Sequence, residues 1–155
     1  MTKARSLSVL AITFCGLVAA LFLSVSAAKG DGGKAKTETK HRVVIEVTRD
    51  GVDQWTAALN YADNLRKVFG AADTEIEIVA HNTGLNMMLA KNVALSDRMK
   101  KLAESGVVFA ACENSMRKMS VTKADLLPFA TPVDAGVAEV VRKQEAGWSY
   151  LKSGV

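Results

Sequence analysis

Cys112 and His81 are the side chains of this 155-residue sequence best placed for chemistry, because each directly follows an apolar-rich stretch, residues 107–111 and 75–80. A thiol can serve as nucleophile, redox group or soft metal ligand, and an imidazole as acid, base or ligand. The segment Cys112-Glu113-Asn114-Ser115-Met116-Arg117-Lys118 adds groups that act on a thiolate. A helix starting at Asn114 or Ser115 would favour the anion through its free amides and dipole, and Arg117 and Lys118 add positive charge, while Glu113 opposes both. Each residue also has an inert reading. A free cysteine ending an apolar strand is commonly a small buried hydrophobe, and a loop imidazole can simply bond a neighbouring backbone group. Met116 and Met119 follow Cys112 at helical spacing, and soft sulfur ligands select Cu(I), so His81, Cys112 and Met116 form an alternative metal set. Against it, Met87, Met88, Met99, Met116 and Met119 suit gaps in a core. His41 is assigned no specific role. CxxC, HExxH and G-x-S-x-G are absent, and Gly30-Asp31-Gly32-Gly33 lies before the first strand, where it cannot cradle a phosphate. No cofactor is expected.

These residues need a frame to hold them. Residues 42–47 form a β-branched run, nearly continuous in apolar character, as in a strand covered on both faces. Trp55, Leu59, Ala62, Leu65 and Phe69 recur at helical spacing, with Asp53 as cap and Gly70 as stop. A second strand spans 75–80. Residues 85–104 read as helix in two pieces, and 107–111 as a buried strand. Thr122 and Asp125 fit a capping box for a short helix that Pro128 ends. A short strand follows at 129–133. Asp134 is placed to cap a helix carrying Val137, Val140, Val141, Gln144 and Trp148 on one side, and 149–155 is a frayed tail or an edge segment. Strands alternating with helices predict an α/β fold, doubly wound, with a mainly parallel sheet of four to five strands and helices on both faces. Ligands of such sheets bind beyond the carboxyl ends of the strands, which puts residues 48–51, 81–84, 112–115 and Asp134 on one rim.

The composition pools unlike parts. The chain carries a net charge of +4, 49 % hydrophobic and 23 % charged residues, and two cysteines, which excludes a disordered chain or a disulfide-dense miniprotein. Lys3 and Arg5 precede an apolar run from Leu7 to Leu23, and the small residues Ser24-Val25-Ser26-Ala27-Ala28 follow it. That order predicts a secretory signal over 1–27, with an uncleaved membrane anchor as the alternative. Its removal takes Lys3 and Arg5 from the 20 basic residues and leaves 18 against 16 acidic ones. With no basic face interleaved with aromatics, no nucleic-acid partner is expected. Residues 28–40, rich in Lys, Gly and Thr, read as a flexible polar tether, and 41–155 as a single α/β domain. Export to a periplasmic or extracellular compartment would leave Cys112 as the only thiol there.

The order strand, helix, strand, His81-Asn82-Thr83-Gly84-Leu85-Asn86-Met87, helix, then Gly106-Val107-Val108-Phe109-Ala110-Ala111-Cys112-Glu113-Asn114-Ser115-Met116-Arg117 resembles the DsrE/DsrF-like proteins. Asp125-Leu126-Leu127-Pro128, followed by Gly136-Val137-Ala138-Glu139-Val140-Val141-Arg142-Lys143-Gln144, is similar to the C-terminal half of that family. The resemblance covers residues 42–151. It implies a YchN-like α/β fold, assembly into trimers or hexamers, and a cysteine after the third strand that carries sulfur as a persulfide and passes it to a partner thiol. Cys112 stands at the matching position, with Arg117 and Lys118 where such members tend to be basic. Glu113-Asn114 replaces the small apolar residues of the sulfur-relay members, as in a Cys-Glu-Asn subgroup whose function is not established. The expected function is an exported sulfur-trafficking or thiol-exchange carrier, at most sulfurtransferase-like. Cys112 would carry the sulfur, His81 would assist proton transfer, and Asn114, Ser115, Arg117 and Lys118 would stabilise the thiolate. The alternatives are a metal or small-ligand module at the sheet rim using His81, Cys112 and Met116, and a non-catalytic oligomeric subunit with an inert Cys112. The implied partners are further copies of the chain and a partner thiol protein, with membrane contact only through an uncleaved N-terminus.

Overall fold

The computed structural model describes residues 40–154, so the expected signal (1–27) and all of the tether but Lys40 lie outside the described residues. Five strands, β1 (His41–Val47), β2 (Thr74–Ala80), β3 (Val108–Cys112), β4 (Ala130–Val133) and β5 (Ser149–Lys152), make one sheet. All four pairings are parallel, and the order is β4-β3-β2-β1-β5. The helices are α1 (Val52–Phe69), α2 (Ser96–Glu104), α3 (Glu113–Lys118) and α4 (Gly136–Glu145). Single 3-10 segments lie at Asn82–Met88 and Lys123–Asp125. This is the α/β architecture expected from the sequence. Among the described residues no helix is long and apolar enough to cross a membrane.

Strand order dictates which face each helix covers. From β1 to β4 the chain steps one strand at a time in one direction, and right-handed crossovers then put the intervening helices on one face. The return from β4 to β5 spans the sheet in the opposite direction, so α4 lands on the other face. The side chains divide accordingly. Val43, Ile45, Val47, Ile76, Ile78, Phe109 and Ala111 pack with Trp55 and Leu59 of α1, Met99 and Leu102 of α2 and Met116 of α3 in one large core. Val44, Val79 and Ala110, the alternate residues of the same strands, meet only Val140 of α4, with Val133 and Trp148 at the edge.

Four local readings are revised. Asp53 does not cap α1, which starts at Val52 after Gly51; it lies in the first turn, where its charge complements the helix dipole. Asp134 does not cap α4 either. Its carboxylate pairs with Arg142 at 2.5 Å, and Ala135 occupies the cap position. The apolar stripe expected on α4 does not face the sheet as a stripe: Val140 is buried, but Val137 is 60 % exposed and Val141 46 %. The reason lies beneath the helix, where the sheet presents Glu46 and Glu77 beside its apolar residues. Finally, Phe129 falls outside β4; of the two readings of the tail, the edge segment holds, as β5. The capping box does form, with the Thr122 amide and hydroxyl both donating to Asp125 Oδ2 at 2.8 and 2.7 Å.

The rim at the carboxyl ends of β1 and β2 is closed by a backbone contact. His81 N–H donates to Val47 O at 3.0 Å and Gly84 N–H to Thr48 O at 3.2 Å, so the 3-10 segment lies directly on the end of β1. A Cβ on Gly84 would stand 2.3 Å from Val47 O, a backbone atom that cannot swing aside. Gly84→Ala is therefore expected to destabilise the fold by roughly 1–3 kcal/mol, the range for overpacking a filled site. Urea unfolding at neutral pH measures it, and an unchanged midpoint would contradict the contact.

Candidate functional site

Cys112 ends β3 and pairs with Val133, the last residue of β4. The two strands end side by side, but their continuations part. β3 runs straight into α3, whose Met116 enters the large core, while β4 leads to α4 on the opposite face. Diverging connections of this kind open a crevice at the strand ends of α/β sheets, the usual place for a ligand or a reacting group. Cys112 sits there between the first turns of two helices and is 4 % exposed.

The surroundings of its sulfur are polar. Burial by itself would push the thiol up, but hydrogen bonds from the Ser115 side chain and from the Gly136, Ser115 and Asn114 amides outweigh it, and the thiol is held below its ordinary range. The Ser115 hydroxyl is oriented for this purpose. Its oxygen accepts from Asn82 N–H at 2.8 Å, which leaves its proton for the sulfur. Asn82 reaches that position with a φ of 50°, a left-handed conformation that Asn tolerates better than most residues. Gly136 comes close because it lacks a side chain. A Cβ there would lie 2.9 Å from His81 Cβ and 3.1 Å from Cys112 Cβ. The α4 terminus, Cys112 and His81 thus converge on one point.

His81 is buried and tied to the sheet by a carboxylate. Its Nε2 lies 2.7 Å from Glu46 Oε1, and Glu46 Oε2 accepts from the Tyr150 hydroxyl at 2.5 Å. Burial works against the Glu46 charge, yet the bonds from Tyr150 and His81 hold its carboxyl below the ordinary range, so it is ionised at neutral pH. The same contact, with desolvation the larger cause, pushes Tyr150 up to about 12. An ionised carboxylate only accepts, so His81 Nε2 carries the proton of that bond. Three strands supply this array: Glu46 from β1, His81 from the end of β2 and Tyr150 from β5.

The other residues named from sequence distribute unevenly. Asn114 acts on the sulfur through its amide, while its side chain accepts from Arg117. Arg117 is exposed and lies 3.8 Å from Glu113, and it is not among the groups that shift the thiol. Lys118 is not among them either; it lines a shallow pocket of about 220 Å³ with Asn82, Thr83, Ser115 and Met119. Met116 is buried in the large core with Phe109 and Leu85. A cavity of about 610 Å³ between α2 and residues 127–129 does not include Cys112. Sequence reading missed Glu46, Tyr150 and the approach of Gly136. Glu46 did leave a trace, as the one acid inside the run Val43-Val44-Ile45-Glu46-Val47.

With that geometry in place, comparison with known proteins is specific about kinship. The model of the DsrE/DsrF-like family matches residues 57–153, a span that includes His81, Cys112, Ser115 and Gly136. A solved structure titled a protein of unknown function, MTH1491 from Methanobacterium thermoautotrophicum, is similar at 30 % identity and a TM-score of 0.63, over 73 % of this chain and 99 % of that one. No curated protein matches the chain.

Two measurements check the site. Ser115→Ala removes a donor that stabilises the thiolate, so the pH midpoint of Cys112 alkylation, followed by peptide mass, is expected to rise; a midpoint that stays or falls contradicts the geometry. Glu46 has a lowered folded-state pKa, so its contribution to stability is full above 4.5 and is lost as pH falls through the folded value. Glu46→Gln is therefore expected to cost about 2 kcal/mol at neutral pH, as for bonds to a charged group, with the gap to wild type closing in acid. A gap that persists in acid would assign the loss to packing.

Proposed function

The chain belongs to the DsrE/DsrF-like family, and from that premise we propose that it is a sulfur-trafficking or thiol-exchange carrier of the cell envelope, with Cys112 as its persulfide site. One observation carries the reading: the start of α4 and His81 converge on a cysteine that ends β3 and is nearly shut off from water, and hydrogen bonding around it holds the thiol below its ordinary range. An inert cysteine needs only apolar neighbours, and apolar burial raises a thiol's pKa rather than lowering it. The metal-site alternative loses support because Met116 packs in the large core.

In this reading the thiolate attacks the outer sulfur of a donor persulfide, R–S–SH. A bond forms between Cys112 Sγ and that sulfur, the donor's S–S bond breaks, and R–S⁻ leaves, so no net oxidation occurs. The donors that hold the thiolate suit the terminal sulfur of the product equally. His81, held by Glu46 and next to the same Gly136 approach as Cys112, is the base assigned to take up the thiol proton before attack. An acceptor thiolate reverses the exchange. Enclosure protects the loaded sulfur from stray thiols and oxidants.

Two further parts belong to the proposal. Delivery across a membrane is supported by Lys3, Arg5, the apolar run to Leu23 and the small residues after it. Self-association as a trimer or hexamer is supported by exposed Val108, Val137, Val141 and Tyr150 on or beside the one helix of the thinly covered face. The partner in transfer is a second protein thiol.

The test is direct. Protein incubated with a low-molecular-weight persulfide is expected to gain one sulfur atom by intact mass, mapped to the peptide holding Cys112, and Cys112→Ser is expected to gain none there. Wild-type Cys112 that stays unmodified under conditions that load a known persulfide carrier would end the reading.

A further inference from the structure

α4 rests on the sheet at three points spaced i, i+4 and i+7, one stripe of a helix. Gly136 touches Cys112 and His81, Val140 meets Val44, Val79 and Ala110, and Lys143 reaches Glu77. Only the middle point is apolar, and Gly136 and Val140 are the helix's only buried residues. The third point is an ion pair: Lys143 Nζ lies 2.6 Å from Glu77 Oε2 and 3.6 Å from Glu139 Oε1, and 4.4 Å above the Trp148 ring. Glu77 is buried in the middle of β2, where a carboxylate without a partner would be costly. Arg142 binds Asp134 at 2.5 Å and Glu139 at 2.8 Å, which couples the segment before the helix to the helix, so that both move as one piece.

We propose that the Glu77–Lys143 pair is a latch that sets how closely α4 covers Cys112, which makes both of them positioning residues for the thiol. The sulfur is almost wholly enclosed, and one of its amide donors belongs to the first residue of α4. The start of that helix is thus part of what covers the sulfur. Lys143 lies two turns away from Gly136, so releasing it leaves Val140 as the main hold on the helix, and α4, Gly136 included, separates from the sheet more often. A single buried valine is too small an apolar anchor to hold ten residues in place, whereas the other face is closed by a core of many large side chains. Closed, the helix lowers the thiol's pKa and denies access; open, it withdraws a donor and exposes the sulfur. The latch goes beyond the sulfur-carrier reading and holds for any chemistry at Cys112.

The experiment follows Cys112 in the full chain as its thiolate displaces iodide from iodoacetamide, resolved by peptide mass so that Cys15 is counted apart. Glu77→Gln is expected to raise the high-pH plateau rate by roughly tenfold, as a weakened closed state requires. It is also expected to move the pH midpoint upward. Amide exchange should quicken over residues 136–141 and not in β1 or β2, a pattern that uniform destabilisation would not produce. Lys143→Gln, which breaks the pair from the partly exposed side, is expected to give the same two shifts and serves if Glu77→Gln does not fold. An unchanged plateau and midpoint in a folded variant, or exchange that rises evenly across the sheet, overturns the latch. Persulfide loading plays no part in these measurements, so its failure leaves the latch standing, and the converse holds.

Discussion

The site depends on a missing side chain. At position 136 any Cβ would press into both His81 and Cys112, so glycine is what lets the first amide of α4 reach a sulfur at the end of a strand on the other side of the crevice. That single approach joins what the topology separates. α3 and α4 leave neighbouring strands for opposite faces, and without Gly136 the amides at Cys112 would come from α3 alone. The sulfur is then approached from both sides of the sheet plane.

A second consequence of the strand order is the contrast between the faces. Three crossovers in one direction put three helices over one face, and the one long return leaves α4 alone on the other. The full face supplies the apolar burial that holds the domain together. The thin face is free to carry ionisable groups: Glu46, Glu77 and His81 all belong to the strand side that α4 meets, and their partners Tyr150 and Lys143 come from β5 and α4. Stability and chemistry are thereby assigned to opposite sides of the same strands, alternating residue by residue. Ile45 and Val47 are in the large core, while Glu46 between them is part of the site.

The frame was legible because periodicity is a local property. Residues 42–47 and 107–111 read as strands from apolar, β-branched composition, and α1 from its spacing of Trp55, Leu59 and Ala62. The rim rule then put His81 and Cys112 at one edge. What could not be read was which groups face the sulfur, because those contacts span large separations. Glu46 meets Tyr150 across 104 residues of chain, and Ser115 meets Asn82 across 33. Charge proximity along the chain misled in the same way. Arg117 and Lys118 follow Cys112 closely, but both are exposed, and Arg117 is held by its own neighbours. On α4 the valine spacing suggested an apolar stripe, whereas the surface that meets the sheet runs through Gly136, Val140 and Lys143, a mixed set that no hydrophobicity pattern singles out.

The acids inside the strands were the overlooked clue. A buried central strand has no use for a carboxylate unless a partner comes to it, since an unpaired one would be neutralised or pulled toward water. Glu46 and Glu77 each stand among apolar residues on the α4 side, and each has a dedicated partner there, His81 with Tyr150 for one and Lys143 for the other. One holds the imidazole beside the thiol and the other holds the helix that covers it. The two carboxylates therefore act on Cys112 from different distances, the nearer through the orientation of a base and the farther through the position of a lid. Neither needs to touch the sulfur to govern what it does.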